Sequence, residues 1–401
     1  MDLLITGHLL LPDANGTLEL AEGSLIVRRG RIESIAPRIH ASPDFGGPDF
    51  LITPGFVDAH VHLPQFDSIG VDGLELLTWL DRAVFPAELK WADVGYAAAM
   101  CERVARELLS FGTANIAAYA TVHHESAQAA IEVCAKAGLS GYIGQVLMDR
   151  NAPKDLCRPA RESVASASRL RAIGRIAPAV TPRFAVACTR ELLNEAGKLA
   201  KATNWHIQTH LSETQPEIDL VGQLFPGRSY LEVYKDAGLL TPRTLLAHGV
   251  WLDSDDLATV AKTGAIVAHC PTANRFLMAG EMDRERTLRS GALMALGSDV
   301  AGGPDRSMVR VARAMLETQR QLGYHAKAGP AAWSQITRWN AALLGLSDTG
   351  ELKPGNTADL LVIRPTTQWL SSHDPLSHLL YAWDDRWLRA TITGGEVRWQ
   401  A

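Results

Sequence analysis

Pro54-Gly55-Phe56-Val57-Asp58-Ala59-His60-Val61-His62-Leu63-Pro64-Gln65 sets the reading of the whole chain. An apolar run that follows a Pro-Gly turn reads as a buried strand. Side chains two apart on a strand share a face. His60 and His62 therefore aim two imidazoles at one point, as a metal ion requires. Two histidines at a strand end can also arise by chance. The remaining chain decides, because further His, Glu and Asp residues stand at the ends of later strand-like runs.

Beyond that strand the sequence alternates. Thr113–Tyr119, Gly141–Met148, Ile176–Thr181, Trp205–His210, Thr244–His248, Ala265–His269 and Ala292–Asp299 read as strands. Residues 93–110, 125–137, 160–173, 189–203, 254–263 and 307–321 read as Ala-rich helices between them. Eight strands alternating with helices predict an α/β fold, a (β/α)8 TIM-like barrel. A doubly wound sheet is the competitor, but no G-x-G-x-x-G follows the first strand. The first 50 residues show short alternating strands with turns such as Arg29-Gly30, which predicts a small antiparallel unit, and the C-terminal end looks alike. We therefore expect a small composite β-sandwich domain built from residues 1–50 plus 350–401, with the catalytic barrel over 51–349.

At 401 residues, 47% of them hydrophobic, the chain can bury a large core. A net charge of -5, with no block of like charges, gives no reason to expect a nucleic-acid partner. The N-terminal Met1–Gly7 lacks the basic and apolar regions of a signal peptide, and no run is long enough for a membrane helix. Five cysteines without C-x-x-C spacing suit a reduced compartment, so a cytoplasmic location is expected. Asn15-Gly16-Thr17 reads as a hairpin turn rather than a glycosylation site.

In a barrel the C-terminal ends of the strands ring the active site. His60 and His62 stand on the first strand, His210 on the fifth, His248 on the sixth and Asp299 on the eighth. A buried, hydrogen-bonded histidine is the plain explanation for each of them singly; five together at strand ends are harder to explain that way. His60, His62, His210 and Asp299 could hold a metal, and a metal there would make water nucleophilic near neutral pH. Glu213, three residues past His210, would lie within reach as a proton carrier, unless it merely caps the helix after it. His248 could orient the attacking water instead of binding metal. No lysine occurs between Lys154 and Lys198, so the fourth strand offers none to bridge two metals, and one metal per chain is expected. Zinc suits these ligands, as does ferrous iron. Two other chemistries are excluded: P-C-x-x-C of the cytidine-type zinc deaminases is absent beside His123-His124-Glu125, and so is G-x-S-x-G.

Taken together, the segment 54–62 with His210, His248 and Asp299 resembles the amidohydrolase superfamily, in its cytosine/adenosine-deaminase-like branch, over nearly the whole chain. Finer motifs resemble the guanine deaminases: His62-Leu63-Pro64-Gln65, Leu77-Thr78-Trp79-Leu80 with Phe85-Pro86-Ala87-Glu88, Met148–Pro153, Thr181-Pro182-Arg183-Phe184-Ala185, His206–Glu213 and His269-Cys270-Pro271-Thr272-Ala273-Asn274. That resemblance implies hydrolysis of guanine to xanthine and ammonia, a zinc ion, a purine partner and assembly as a homodimer. It implies catalytic roles for Glu213, His248 and Asp299. It also implies that Gln65, Arg183 and Phe184 hold the purine, with Trp79, His210 and Glu213 bordering it. The chemistry of the residue types agrees: Gln65 offers a donor and an acceptor, Arg183 a fork of donors, and Phe184 a flat face.

The chain departs from the family pattern in three places. Ser298 precedes Asp299 where Thr is usual, Arg275-Phe276 follows Asn274 where an apolar residue is usual, and Asp305-Arg306 lies in the last barrel loop. These charges are expected near the cavity mouth, and they leave a related aminated heterocycle, such as 8-oxoguanine or a pterin, as an alternative substrate. A cyclic-amide hydrolase and a non-catalytic purine-binding protein are the other readings.

Overall fold

The computed structural model describes residues 2–325 and 329–401; Met1 of the N-terminal segment lies outside them. Its strands are β1 (Leu3–Pro12), β2 (Leu18–Arg28), β3 (Arg31–Ala36), β4 (Phe45–Pro54), β5 (Phe56–His62), β6 (Thr113–Tyr119), β7 (Ser140–Leu147), β8 (Ile176–Pro182), β9 (His206–Leu211), β10 (Thr244–His248), β11 (Ile266–His269), β12 (Leu293–Leu296), β13 (Leu360–Ile363), β14 (Leu388–Thr393) and β15 (Glu396–Gln400). Strands β5 to β12 pair in sequence order as one eight-stranded parallel sheet. Backbone bonds just past β12 close it into a barrel: Asp299 N–H donates to His60 O at 2.8 Å and His62 N–H to Val300 O at 2.7 Å. Gly297 permits this approach, since a Cβ there would stand 2.6 Å from that of His60.

The two ends of the chain meet in a seven-stranded sheet of order β15-β14-β13-β4-β1-β2-β3. Its pairing is mixed rather than purely antiparallel, because β4 runs parallel to β1. That direction delivers the chain through Pro54-Gly55 into β5, while β13 pairs antiparallel on the other side of β4. Arg175, at the entry to β8, ties the barrel to this sheet. Its guanidinium makes two bonds of 2.6 and 2.9 Å to Asp359, whose carboxylate also accepts from Thr349 Oγ1 and Gly394 N.

The expected helices form, each with a local reason. Asp93 caps Val94–Ser110 by accepting from Tyr96 N–H, and Thr189 caps Arg190–Thr203, which Asn204 ends in the left-handed conformation. The helix expected over 160–173 stops at Ala167. Ile173 and Ile176 exchange backbone bonds around Gly174 instead, and that turn draws the chain out of the helix. Residues Leu76–Leu89 form a helical segment with one π turn over Leu80–Val84, a distortion that often accompanies functional sites. No helix of the described residues is long and apolar enough to cross a membrane, and all five cysteines are free thiols.

Candidate active site

The barrel mouth gathers the polar strand ends. His60 Nε2 lies 3.2 Å from His62 Nε2 and 3.1 Å from Asp299 Oδ1; His62 Nε2 lies 3.1 Å from His210 Nε2 and 3.4 Å from Asp299 Oδ1. Four ligand atoms at about 2.1 Å from a zinc ion would stand about 3.4 Å apart, so this donor set fits a metal. His60, His210, His248 and Asp299 likewise offer atoms within 4.8 Å of one another. His248 thus joins the cluster as a possible fifth donor. Its Nε2 lies 3.9 Å from Asp299 Oδ2, and no group of the described residues hydrogen-bonds it.

The histidines are prepared as neutral donors. Burial, with neighbouring imidazoles adding to it, holds His60, His62 and His210 well below the usual histidine pKa. His210 Nδ1–H donates to Arg183 O at 2.8 Å, which leaves the Nε2 lone pair facing the cluster. Asn274 Oδ1 does the same for His248, accepting from its Nδ1 at 2.9 Å. Burial pushes Asp299 up to about 6, against the pull of His248 and Arg183. Beneath the ligands, Asp58 accepts from Ser298 N–H (2.9 Å), Ser298 Oγ–H (2.5 Å) and His60 N–H (3.1 Å). Ser298 therefore supplies the hydroxyl that Thr would supply, and its substitution changes little. Ser212, His248 and Asp299 all adopt positive φ, at 48°, 71° and 51°. Such backbone is sparsely populated by non-glycine residues and clusters at active sites.

Glu213 is buried over the same cluster. Its Oε2 is 3.3 Å from His248 Nε2 and its Oε1 has no partner. It is not the helix cap. Thr214 caps Gln215–Leu224 through a capping box with Glu217, and Glu217 Oε2 accepts from the Glu213 N–H. Burial raises the Glu213 pKa well above the carboxylate range, and Glu217 and Asp299 push it further.

One cavity joins this cluster to the expected substrate residues. Gln65, Trp79, Arg183, Phe184, His210 and Glu213 all line it, with His62, His248, Asp299, Leu76, Leu80 and Leu277. Trp79 and Leu80 come from the helical segment after β5, and Arg183-Phe184 follow β8. Arg275, Asp305 and Arg306 do not line it. Arg275 donates to Ala314 O and Thr318 Oγ1 on a neighbouring helix, and Arg306 pairs with Glu107. Arg275 and Arg306 are thus engaged away from the cavity.

Two residues without an assigned role act here. Asn274 is the working end of the 269–274 motif; His269 itself is buried with neither ring nitrogen bonded. Glu88 is 1% exposed, and both its oxygens accept from Arg183 Nη1, at 2.6 and 2.8 Å. In the sequence it closes the Phe85-Pro86-Ala87-Glu88 motif, which does not reveal its partner.

The described geometry is matched by known proteins. The sequence pattern of the amidohydrolase family covers residues 51–398. A probable guanine deaminase from Schizosaccharomyces pombe is 34% identical over 349 residues, 80% of this chain and 66% of that protein, so the chain spans just under two thirds of this relative's length. The solved E. coli guanine deaminase superposes with a TM-score of 0.92 at 29% identity, covering 99% of each chain. A guanine deaminase from C. acetobutylicum, solved with guanine in its active site, superposes with a TM-score of 0.90 at 26% identity, over 99% of this chain and all of the other. By sequence and by fold, this chain belongs to the amidohydrolase family.

Proposed function

We propose that the chain hydrolyses guanine to xanthine and ammonia, using one metal ion held by His60, His62, His210 and Asp299. The observation that carries this is a metal-competent donor set that shares one cavity with a free carboxyl oxygen of Glu213 and with Gln65 and Arg183. When bound, the metal would supply a Lewis acid that makes water nucleophilic near neutral pH. Zinc suits the nitrogen and carboxylate ligands and is part of the proposal.

The chain's own residues would do the rest. Arg183 donates to the purine carbonyl, Gln65 bonds the neighbouring ring edge, and Phe184 and Trp79 offer apolar faces to the ring. Glu213 takes a proton from the attacking water and delivers it to the ring nitrogen beside C2. His248, aligned by Asn274, steadies the incoming oxygen. The bond from C2 to its amino group breaks, and the nitrogen leaves as ammonia with the second water proton, which Asp299 would help to transfer. The homodimer that the resemblance implies and a cytoplasmic location belong to the same proposal.

Xanthine and ammonia should appear from guanine in equal amounts, and chelation of the metal should abolish both. A ring-opened acid without ammonia would replace this reading with a cyclic-amide hydrolase.

A further inference from the structure

We propose that Glu88 is a positioning residue that fixes which edge of a purine the cavity reads; this rests on the purine-binding part of the proposed function. Glu88 stands on the helical turn Phe85–Leu89, buried against the cavity wall. Its carboxylate has three polar contacts. Both oxygens accept from Arg183 Nη1, and Oε1 also accepts from Gln65 Nε2 at 3.1 Å.

These contacts orient two residues at once. A carboxylate offers no donor, so only the amide nitrogen of Gln65 can face it. The Gln65 amide is thereby fixed with Nε2 toward Glu88, and Oε1 is left as an acceptor. Arg183 spends Nη1 on Glu88 and lies over the Phe85 ring, 5.6 Å from its centroid. Its Nε and Nη2 remain as donors. The cavity then presents an acceptor beside a donor. That pattern complements a ring N–H next to a carbonyl, the 6-oxo edge of guanine. It opposes a ring nitrogen next to an amino group, the corresponding edge of a 6-aminopurine. Without the charge of Glu88 the Gln65 amide has no reason to prefer one orientation, and Arg183 loses its anchor. A buried charge left unpaired is strongly unfavourable, so Arg183 would also seek other partners, including carboxylates in the metal cluster.

The test uses Glu88→Gln in the full-length, metal-loaded protein. Two ligands that cannot lose a 2-amino group are titrated calorimetrically: hypoxanthine, which has the oxo edge, and purine, which lacks it. Hydrogen bonds to charged groups are worth enough that hypoxanthine should weaken by at least about tenfold, while purine changes by less than about threefold. With guanine, KM should rise in step with the loss of hypoxanthine affinity and kcat should change little, because a uniform binding interaction has been lost. Equal weakening of both ligands, or unchanged hypoxanthine binding, would overturn the proposal by reducing Glu88 to a structural ion pair. So would wild-type protein that binds hypoxanthine no better than purine. If the wild type discriminates the ligands but does not deaminate guanine, the activity reading fails and the role of Glu88 stands. Should Glu88→Gln not fold, Glu88→Asp keeps the charge but draws the carboxylate back by one methylene. It should weaken hypoxanthine selectively, and an unaltered hypoxanthine-to-purine ratio would again overturn the proposal.

Discussion

Replacing Glu213 by Gln removes a proton carrier while keeping nearly the same volume. The structure says how little else is lost. Glu213 Oε1 has no partner, and Oε2 has only the 3.3 Å contact with His248. The Glu213 backbone N–H bond to Glu217 and the cap by Thr214 do not involve the side chain. Stability should therefore stay within about 1 kcal/mol of wild type, the size of one hydrogen bond. The donor set of His60, His62, His210 and Asp299 is untouched, so metal content should be unchanged. Positioned acid–base groups contribute about 10²–10⁴-fold, equivalent to about 3–5 kcal/mol of barrier. The full loss is expected here because the other described carboxyls near the cavity have other tasks: Glu88 is held by Arg183, and Asp299 belongs to the proposed donor set. Both kcat and kcat/KM should fall together, since the interaction is made in the transition state. The assay is ammonia release by protein whose metal content and melting temperature are measured alongside. Turnover within about tenfold of wild type at equal metal content would lie below the range for such groups and refute the role of Glu213.

Two further outcomes concern stability. Asp359→Ala should destabilise the fold by about 3 kcal/mol, as expected when a buried ion pair loses one partner and further donors are stranded, with allowance for the partial exposure of Arg175; a urea midpoint corresponding to less than about 1 kcal/mol would place the tie in the range of surface pairs. His206, packed against the Tyr142 ring at a tilt, is held down to about 3 by burial, with Arg243 adding to it. Its folded pKa lies below the unfolded value, so its contribution is intact above about pH 6.5 and stability is lost as pH falls from there toward 3. The loss attributable to it is on the order of 2 kcal/mol between pH 6.5 and 5. His206→Gln should flatten that limb of the stability profile, and an unchanged slope would contradict the assignment.

The barrel was legible because apolar runs alternate with helical stretches and several of the runs end in a polar, chemistry-bearing residue, as in Trp205–His210 and Thr244–His248. The ligand candidates were legible for the same reason: strand ends in a barrel converge, so one-dimensional spacing becomes a ring. The motifs holding Glu88 and Asn274 were visible, but not which residue each meets across the fold. Glu88 lies 95 positions from Arg183, and Asn274 lies 26 from His248. Neither separation carries a periodicity. Direction was likewise hidden for Arg275 and Arg306. Being near the mouth in sequence said nothing about the helix carbonyl and the carboxylate that hold them away from it. The parallel pairing of β1 with β4 follows from where the chain must enter β5, which strand composition does not record.

The most direct measurement compares kcat/KM for ammonia release from guanine, 8-oxoguanine, a pterin, adenine and cytosine, on protein loaded with the proposed one metal per chain. The account predicts that guanine is preferred and that adenine and cytosine are poor, since the fixed Gln65 and Arg183 face an oxo edge. Preference for adenine, or no turnover of any of the five with the metal in place, would contradict it.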